Sequence, residues 1–106
     1  MPMDLSVYRQ LFLEESHRRL AELETALTQL REGKEDQDVW RAAHRAAHTL
    51  KGMAATMQYQ ELATLAEEME ALLLAVLEGR GERPAQRALE EVPTLVKRFT
   101  ARLEQI

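Results

Sequence analysis

The chain has 106 residues, 45 % of them hydrophobic and 30 % charged, with 18 acidic against 14 basic side chains and a formal net charge of -4. That composition fits one soluble domain with a single core, and the acidic balance argues against non-specific nucleic-acid binding, which wants a basic patch. Without cysteine, disulfides, thiolate chemistry and Cys-ligated zinc are excluded; no apolar run is long enough to span a bilayer, and Met1-Pro2-Met3-Asp4 lacks the basic-then-apolar opening of a secretory signal. These features suit a cytoplasmic protein.

Helix-forming residues dominate and strand patterns are absent. Asp4 or Ser6 can cap a first helix. Its apolar positions Leu5, Tyr8, Phe12, Leu20, Leu23, Leu27 and Leu30, with Leu13 beside them, recur at helical spacing and predict one buried stripe. Arg31-Glu32-Gly33-Lys34-Glu35 ends it, with Gly33 past the last apolar residue. A second helix begins near Asp36 or Asp38 and carries Val39, Ala43, Ala46, Leu50, Ala54 and Met57. A further stripe follows in Leu62, Leu65, Ala66, Met69, Leu72, Leu73 and Val76. No strong breaker separates the two, but the later stripe is rotated by roughly a quarter turn from the earlier one. One straight helix would smear its apolar face, so a break is placed at Met57-Gln58-Tyr59-Gln60. Gly79-Arg80-Gly81-Glu82-Arg83 reads as a loop, and Pro84 suits the first turn of a last helix. That helix carries Ala88, Leu89, Val92, Leu95, Val96, Phe99 and Leu103, and Pro93 inside it predicts a kink or short break near Glu90. Four amphipathic helices with short connections predict an all-α, antiparallel up-and-down four-helix bundle over residues 1–106 as one domain.

Gly52 stands apart from the other glycines, which fall where loops are expected. It interrupts a helix-forming run, where glycine costs about 1 kcal/mol relative to alanine. Two readings are open: close helix–helix packing at Gly52, or space for a partner approaching its neighbours. His48 lies about 200° around the helix from the buried Leu50, so it faces solvent or a groove edge. His44, Lys51, Gly52 and Ala55 share that side by their spacing. On the third helix, Glu70 sits at the edge of the buried stripe beside Met69. If the second and third helices pack antiparallel, Glu70 reaches His48. A carboxylate accepting from Nδ1–H would leave Nε2 a free nucleophile and stabilise positive charge on the ring. By geometry alone, an arginine or solvent is an equally good partner for Glu70. Glu67 and Glu68 read most simply as a solvated face. His44 and His48 also have metal-ligand spacing, but the glutamate that zinc proteases place after the first histidine is missing, and Arg45 stands there instead. No metal site is expected.

The stretch Arg45-Ala46-Ala47-His48-Thr49-Leu50-Lys51-Gly52-Met53-Ala54-Ala55-Thr56-Met57 resembles histidine-containing phosphotransfer (HPt) domains, and within them those of chemotaxis-type histidine kinases. The resemblance extends over essentially the whole chain, including Phe12, Glu14 and Glu15 on the first helix and Leu62 to Leu73 on the third. It implies that His48 accepts the γ-phosphoryl group of ATP from a separate kinase domain and passes it to an aspartate of a chemotaxis-type response regulator. It assigns Lys51 to the phosphate, Gly52 to partner access, and Glu70 to the phospho-accepting imidazole. Glu67 and His44 are candidates for an outer part of the same network. The sequence departs from the family pattern at Gln58, where a turn glycine is usual, and at Glu67, where a second histidine often stands.

No Gly-rich phosphate loop and no magnesium-binding cluster appears, so the domain is expected to hold no cofactor and to have no ATP-dependent activity alone; ATP and magnesium belong to a separate kinase domain. The chain is expected to be the N-terminal part of a longer histidine kinase and, as a fragment, monomeric. Neither nucleic acid nor a membrane is expected as a partner. The main rival is a helical adaptor that binds a partner through the same groove. A metal-carrying bundle is weaker, because the Glu-x-x-His spacing it needs occurs once, at Glu14 and His17.

Overall fold

Four helices account for nearly all of the chain in a computed structural model that describes residues 4–34 and 36–106: α1 (Leu5–Arg31), α2 (Gln37–Thr56), α3 (Gln60–Glu78) and α4 (Pro84–Leu103). Short connections reverse the chain between them. α1 packs on α2, α2 on α3 and α3 on α4, and α4 closes more lightly on α1. The bundle measures 51 × 22 × 21 Å along its principal axes. Among the described residues, no helix is long and apolar enough to cross a membrane.

The N-termini of α1 and α2 are capped by the predicted chemistry. The Asp4 side chain accepts from the Ser6 backbone N–H at 3.0 Å, and the Asp36 side chain from that of Asp38 at 2.9 Å. Bonds from the Ser6 hydroxyl and backbone N–H hold the Asp4 carboxyl below its ordinary pKa. Of the predicted loop 31–35, Glu35 lies outside the described residues.

The predicted break between α2 and α3 is present, and the reason is a C-terminal Schellman turn. The Tyr59 N–H donates to the Ala54 carbonyl at 2.9 Å and the Gln58 N–H to Ala55 at 3.0 Å. This pattern needs a left-handed residue, and Gln58 supplies it with φ +62°. α1 ends the same way at Gly33 and α3 at Gly79, where the residue is glycine.

The core is filled by Leu23 of α1, Leu50 of α2, Met69 and Leu73 of α3, and Val92, Phe99 and Leu103 of α4, all fully buried. Each such side chain contributes roughly 1.5–3 kcal/mol through removal of apolar surface from water. The buried face of α2 is otherwise mostly alanine, with Ala43, Ala46, Ala47 and Ala54. Such small side chains let neighbouring helices approach closely. That approach brings the exposed edge of α2 within side-chain reach of α3.

Three expectations need correction. Leu5 and Tyr8, expected in the buried stripe, are 71 % and 47 % exposed. α1 has 27 residues, against 20 in α2, so it is about 10 Å longer, and its first turns pass the end of the neighbour that would have covered them. Of the kink or short break expected near Glu90, the break is absent: α4 runs without interruption through Pro93 from Pro84 to Leu103. The Pro93 ring lies on a half-exposed face beside Leu27 and Val96, so the missing donor leaves no gap in the core. The buried side of α2 also includes Trp40, which the predicted stripe omits, and that of α1 includes Ser16, whose hydroxyl is buried without a hydrogen-bond partner.

Candidate functional site

α2 turns Leu50 into the core and His48 outward, with the His48 side chain 64 % exposed. Across the α2–α3 groove, Met69 is fully buried and the next residue, Glu70, rises at the groove edge with its side chain only 13 % exposed. The carboxylate is forked between two donors from α2. Nδ1 of His48 meets Oε2, and Nζ of Lys51 donates to Oε1 at 2.6 Å. Three residues from two helices thus form one connected group, with Lys51 and His48 three positions apart on α2.

The charges of this group follow from its surroundings. Burial raises the pKa of the Glu70 carboxyl, but the hydrogen bonds from Lys51 and His48, with their attraction, outweigh burial and leave it below the ordinary glutamate range. Glu70 is therefore an anion at neutral pH. The hydrogen bond to Glu70 raises Lys51 above its ordinary value, against a smaller opposing effect of burial. A carboxylate only accepts, so the proton between His48 and Glu70 belongs to Nδ1. Nε2 then keeps its lone pair and lies on the ring edge away from Glu70.

The other predicted residues occupy distinct places. His44 lies one turn before His48, with ring centroids 6.3 Å apart and planes 19° from parallel. Glu67 is exposed and acts on Lys51 through its charge. Lys51, assigned by resemblance to the phosphate, is bonded to Glu70 here. Gly52 is exposed, and a Cβ built on it would meet no atom within 4 Å. Close packing within the bundle is therefore not why glycine stands there. Its carbonyl accepts a second bond from the Thr56 hydroxyl at 3.0 Å.

Beyond Gly52 the surface turns apolar. A shallow groove of about 430 Å³ is lined by Tyr8, Phe12, Gly52, Met53, Thr56 and Met57. Phe12 meets Tyr59 edge-on at 5.0 Å between ring centroids, which closes the floor. Leu5, Val7 and Leu11 stand exposed on the same end of α1. Sequence reasoning put Tyr8, Phe12 and Met57 in the buried stripes; Phe12 is buried and Met57 partly so, but Tyr8 is exposed, and this surface was missed. The signal available was the length of α1, which exceeds what the other helices can cover.

The arrangement has the chemistry to act as a nucleophile. An imidazole has its tautomer fixed by an anion at one nitrogen, its other nitrogen exposed, and open ground beside it for a second macromolecule. Among the described residues, no group of three or more metal-ligating side chains is assembled.

The Hpt domain family model matches residues 7–106. Over 101 residues the chain is 35 % identical to the chemotaxis protein CheA of Bacillus subtilis (strain 168), a match covering 90 % of this chain and 15 % of that protein. Over 80 residues it is 34 % identical to CheA of Rhizobium meliloti (strain 1021), covering 76 % of this chain and 11 % of that protein. The CheA phosphotransferase domain from Thermotoga maritima shares the fold with a TM-score of 0.84 and 26 % identity, covering 97 % of both chains. The chain thus spans a small fraction of the curated relatives it matches and nearly all of a phosphotransferase domain. From the first turn of α1 to its last residue, this four-helix chain belongs to the Hpt domain family and is homologous to the phosphotransfer domain of CheA.

Proposed function

We propose that His48 is the phospho-accepting residue of a chemotaxis-type two-component relay. The observation that carries the reading is the pairing of Nδ1 with an ionised Glu70 on a ring whose Nε2 edge faces solvent. In the acceptance step, the Nε2 lone pair attacks the γ-phosphorus of ATP and the bond to the bridging oxygen breaks. ADP leaves with that electron pair. The ring gains positive charge while Nδ1–H stays bonded to Glu70, and the adjacent carboxylate stabilises the cation. In the delivery step, an aspartate oxygen of a response regulator attacks the same phosphorus, and the N–P electron pair returns to Nε2. His48 ends neutral, with its proton still on Nδ1.

Lys51 orients Glu70 before transfer, and its ammonium, three residues on from His48 along α2, adds positive charge for the phosphoryl group afterwards. Gly52 and the apolar groove beyond it provide ground for the partner, which must bring its reacting atoms to Nε2. ATP and magnesium come with a separate kinase domain, since this sequence has no Gly-rich phosphate loop. The domain acts as the N-terminal acceptor of a longer cytoplasmic histidine kinase, with the kinase catalytic domain and a chemotaxis-type response regulator as its two partners. Both contacts are small and transient, because each transfer ends in release.

The test is incubation with ATP and an active CheA-type catalytic fragment, followed by intact-mass and peptide mapping. One acid-labile phosphoryl group on His48, absent in His48→Gln and lost on adding a response regulator, is the expected result. Phosphate retained by a folded His48→Gln variant overturns the assignment.

A further inference from the structure

His44 and His48 repeat one ring orientation along α2. Their centroids are 6.3 Å apart and their planes 19° from parallel, close to what one helical turn of about 5.4 Å produces when two side chains share a rotamer. Nδ1 of His48 is turned to Glu70 on α3, so the Nε2 edge points away from α3, and the His44 ring lies one helical turn along α2 with its plane nearly parallel to that of His48. A phosphoryl group on Nε2 of His48 carries its oxygens into the space beside that edge. The sequence singled out His44 only for its spacing, and the chemistry of the His48–Glu70–Lys51 group does not use it.

We propose that His44 is a second phosphate-binding residue, whose imidazolium donates a hydrogen bond to the phosphoryl group carried on Nε2 of His48. Proton uptake by His44 and phosphorylation of His48 then favour each other. This inference rests on the phosphotransfer reading of His48 and adds a residue and a pH dependence to it.

The surroundings leave His44 as the available donor on this side. Lys51 is held by Glu70. On α2, Arg41 is bound to Asp38 at 3.1 Å, and Arg45 turns to the α1 side, where it lines a groove with Arg19 and Glu22. On α3, the pairing of His48 with Glu70 sets an antiparallel register that brings Leu74, an apolar residue, level with His44. Glu70 and Glu67 lie to one side of that level, and Glu78, paired with Arg80 at 2.6 Å, to the other. Among the described residues, no Cα of α4 comes within 8 Å of one of α2.

The sign of the effect follows from linkage. A phosphoryl group carries about -1.5 to -2 charges at neutral pH, and an opposite charge within a few ångströms favours the protonated imidazole. His44 therefore holds its proton more tightly in the phosphorylated state, and by reciprocity its protonation stabilises that state. The gain is full below the pH at which His44 titrates in the unphosphorylated domain. It disappears as the pH rises through the titration of the phosphorylated one.

The experiment uses the ¹⁵N-labelled chain, unphosphorylated and phosphorylated by ATP and a CheA-type catalytic fragment, with the His44 ring resonances followed against pH. The titration midpoint of His44 is expected to rise by about 0.5 to 1 in pH on phosphorylation. At a fixed ratio of ATP to ADP, His44→Asn should lower the equilibrium phosphorylation constant by up to about three- to tenfold at pH values below the His44 titration and leave it unchanged near pH 8.5, since raising a midpoint by 0.5 to 1 in pH corresponds to about a factor of three to ten in binding. His44→Lys should preserve phosphorylation at both. A midpoint that does not move, or a His44→Asn deficit that is the same at every pH, overturns the proposal and leaves His44 a packing residue. If the wild-type chain takes no phosphate while the same fragment phosphorylates another Hpt domain, the reading of His48 itself falls, and this proposal with it.

Discussion

At Glu70, burial and hydrogen bonding pull the carboxyl in opposite directions, and the bonds from Lys51 and His48 prevail. Its pKa in the folded domain is thus lower than in the unfolded chain. The stability this contributes is present at neutral pH and is lost as the pH falls through the folded value, below about 4.3. Glu70→Gln removes the acid-sensitive part. Chemical unfolding at pH 7 and near pH 3.5 should show wild type ahead of the variant at neutral pH and the difference shrinking in acid; a difference independent of pH would contradict the ionised network. Gly52 poses the opposite question, because no neighbour excludes a methyl group there. Gly52→Ala is expected to stabilise the helix by about 0.5–1 kcal/mol, raising the melting temperature by a few degrees, while slowing phosphoryl transfer several-fold. A variant that melts lower would mean the fold itself requires the glycine. The sequence left Gly52 open between packing and access, because helical spacing tells which side a residue faces and not what stands opposite. The same limit applied to Glu70, whose partners became visible only with α2 and α3 side by side.

At the scale of elements, three of the four helices end in the same left-handed turn, and only the middle one does so without glycine. A non-glycine residue in that conformation costs about 1–2 kcal/mol, offset in part by the extra chain entropy glycine would lose on folding. Gln58→Gly should therefore raise the unfolding free energy by about 0.5–1 kcal/mol in a denaturant titration, with unchanged denaturant dependence; no gain would mean that Gln58 makes up the strain elsewhere. The position of this turn was legible because the apolar stripes before and after it are out of phase. The continuity of α4 was not. Pro93 carries a strong local signal for a break, but a helix held by Val92, Leu95, Val96 and Phe99 on its buried side continues through one missing donor when the proline faces outward.

Across the whole molecule, the fold class, the four elements and the site on α2 follow from periodicity and from one motif, while the apolar end of α1 does not. Periodicity assigned Leu5 and Tyr8 to the core because it reports which side of a helix is apolar and not whether a neighbour is long enough to cover it. The uncovered turns lie at the same end of the bundle as Gly52 and Met57, so the His48 ring borders an apolar groove. On the proposed function, the bundle presents the His48 imidazole beside that groove, with the carboxylate that pairs with the ring supplied from a second helix. The measurement that tests this most directly is long-range ¹H–¹⁵N NMR of the His48 ring in the intact chain, before and after phosphorylation. The account predicts an Nδ1–H tautomer at neutral pH, replaced by phosphate bonded to Nε2 with Nδ1 still protonated. An Nε2–H tautomer in the resting domain, or phosphate on Nδ1, would contradict it.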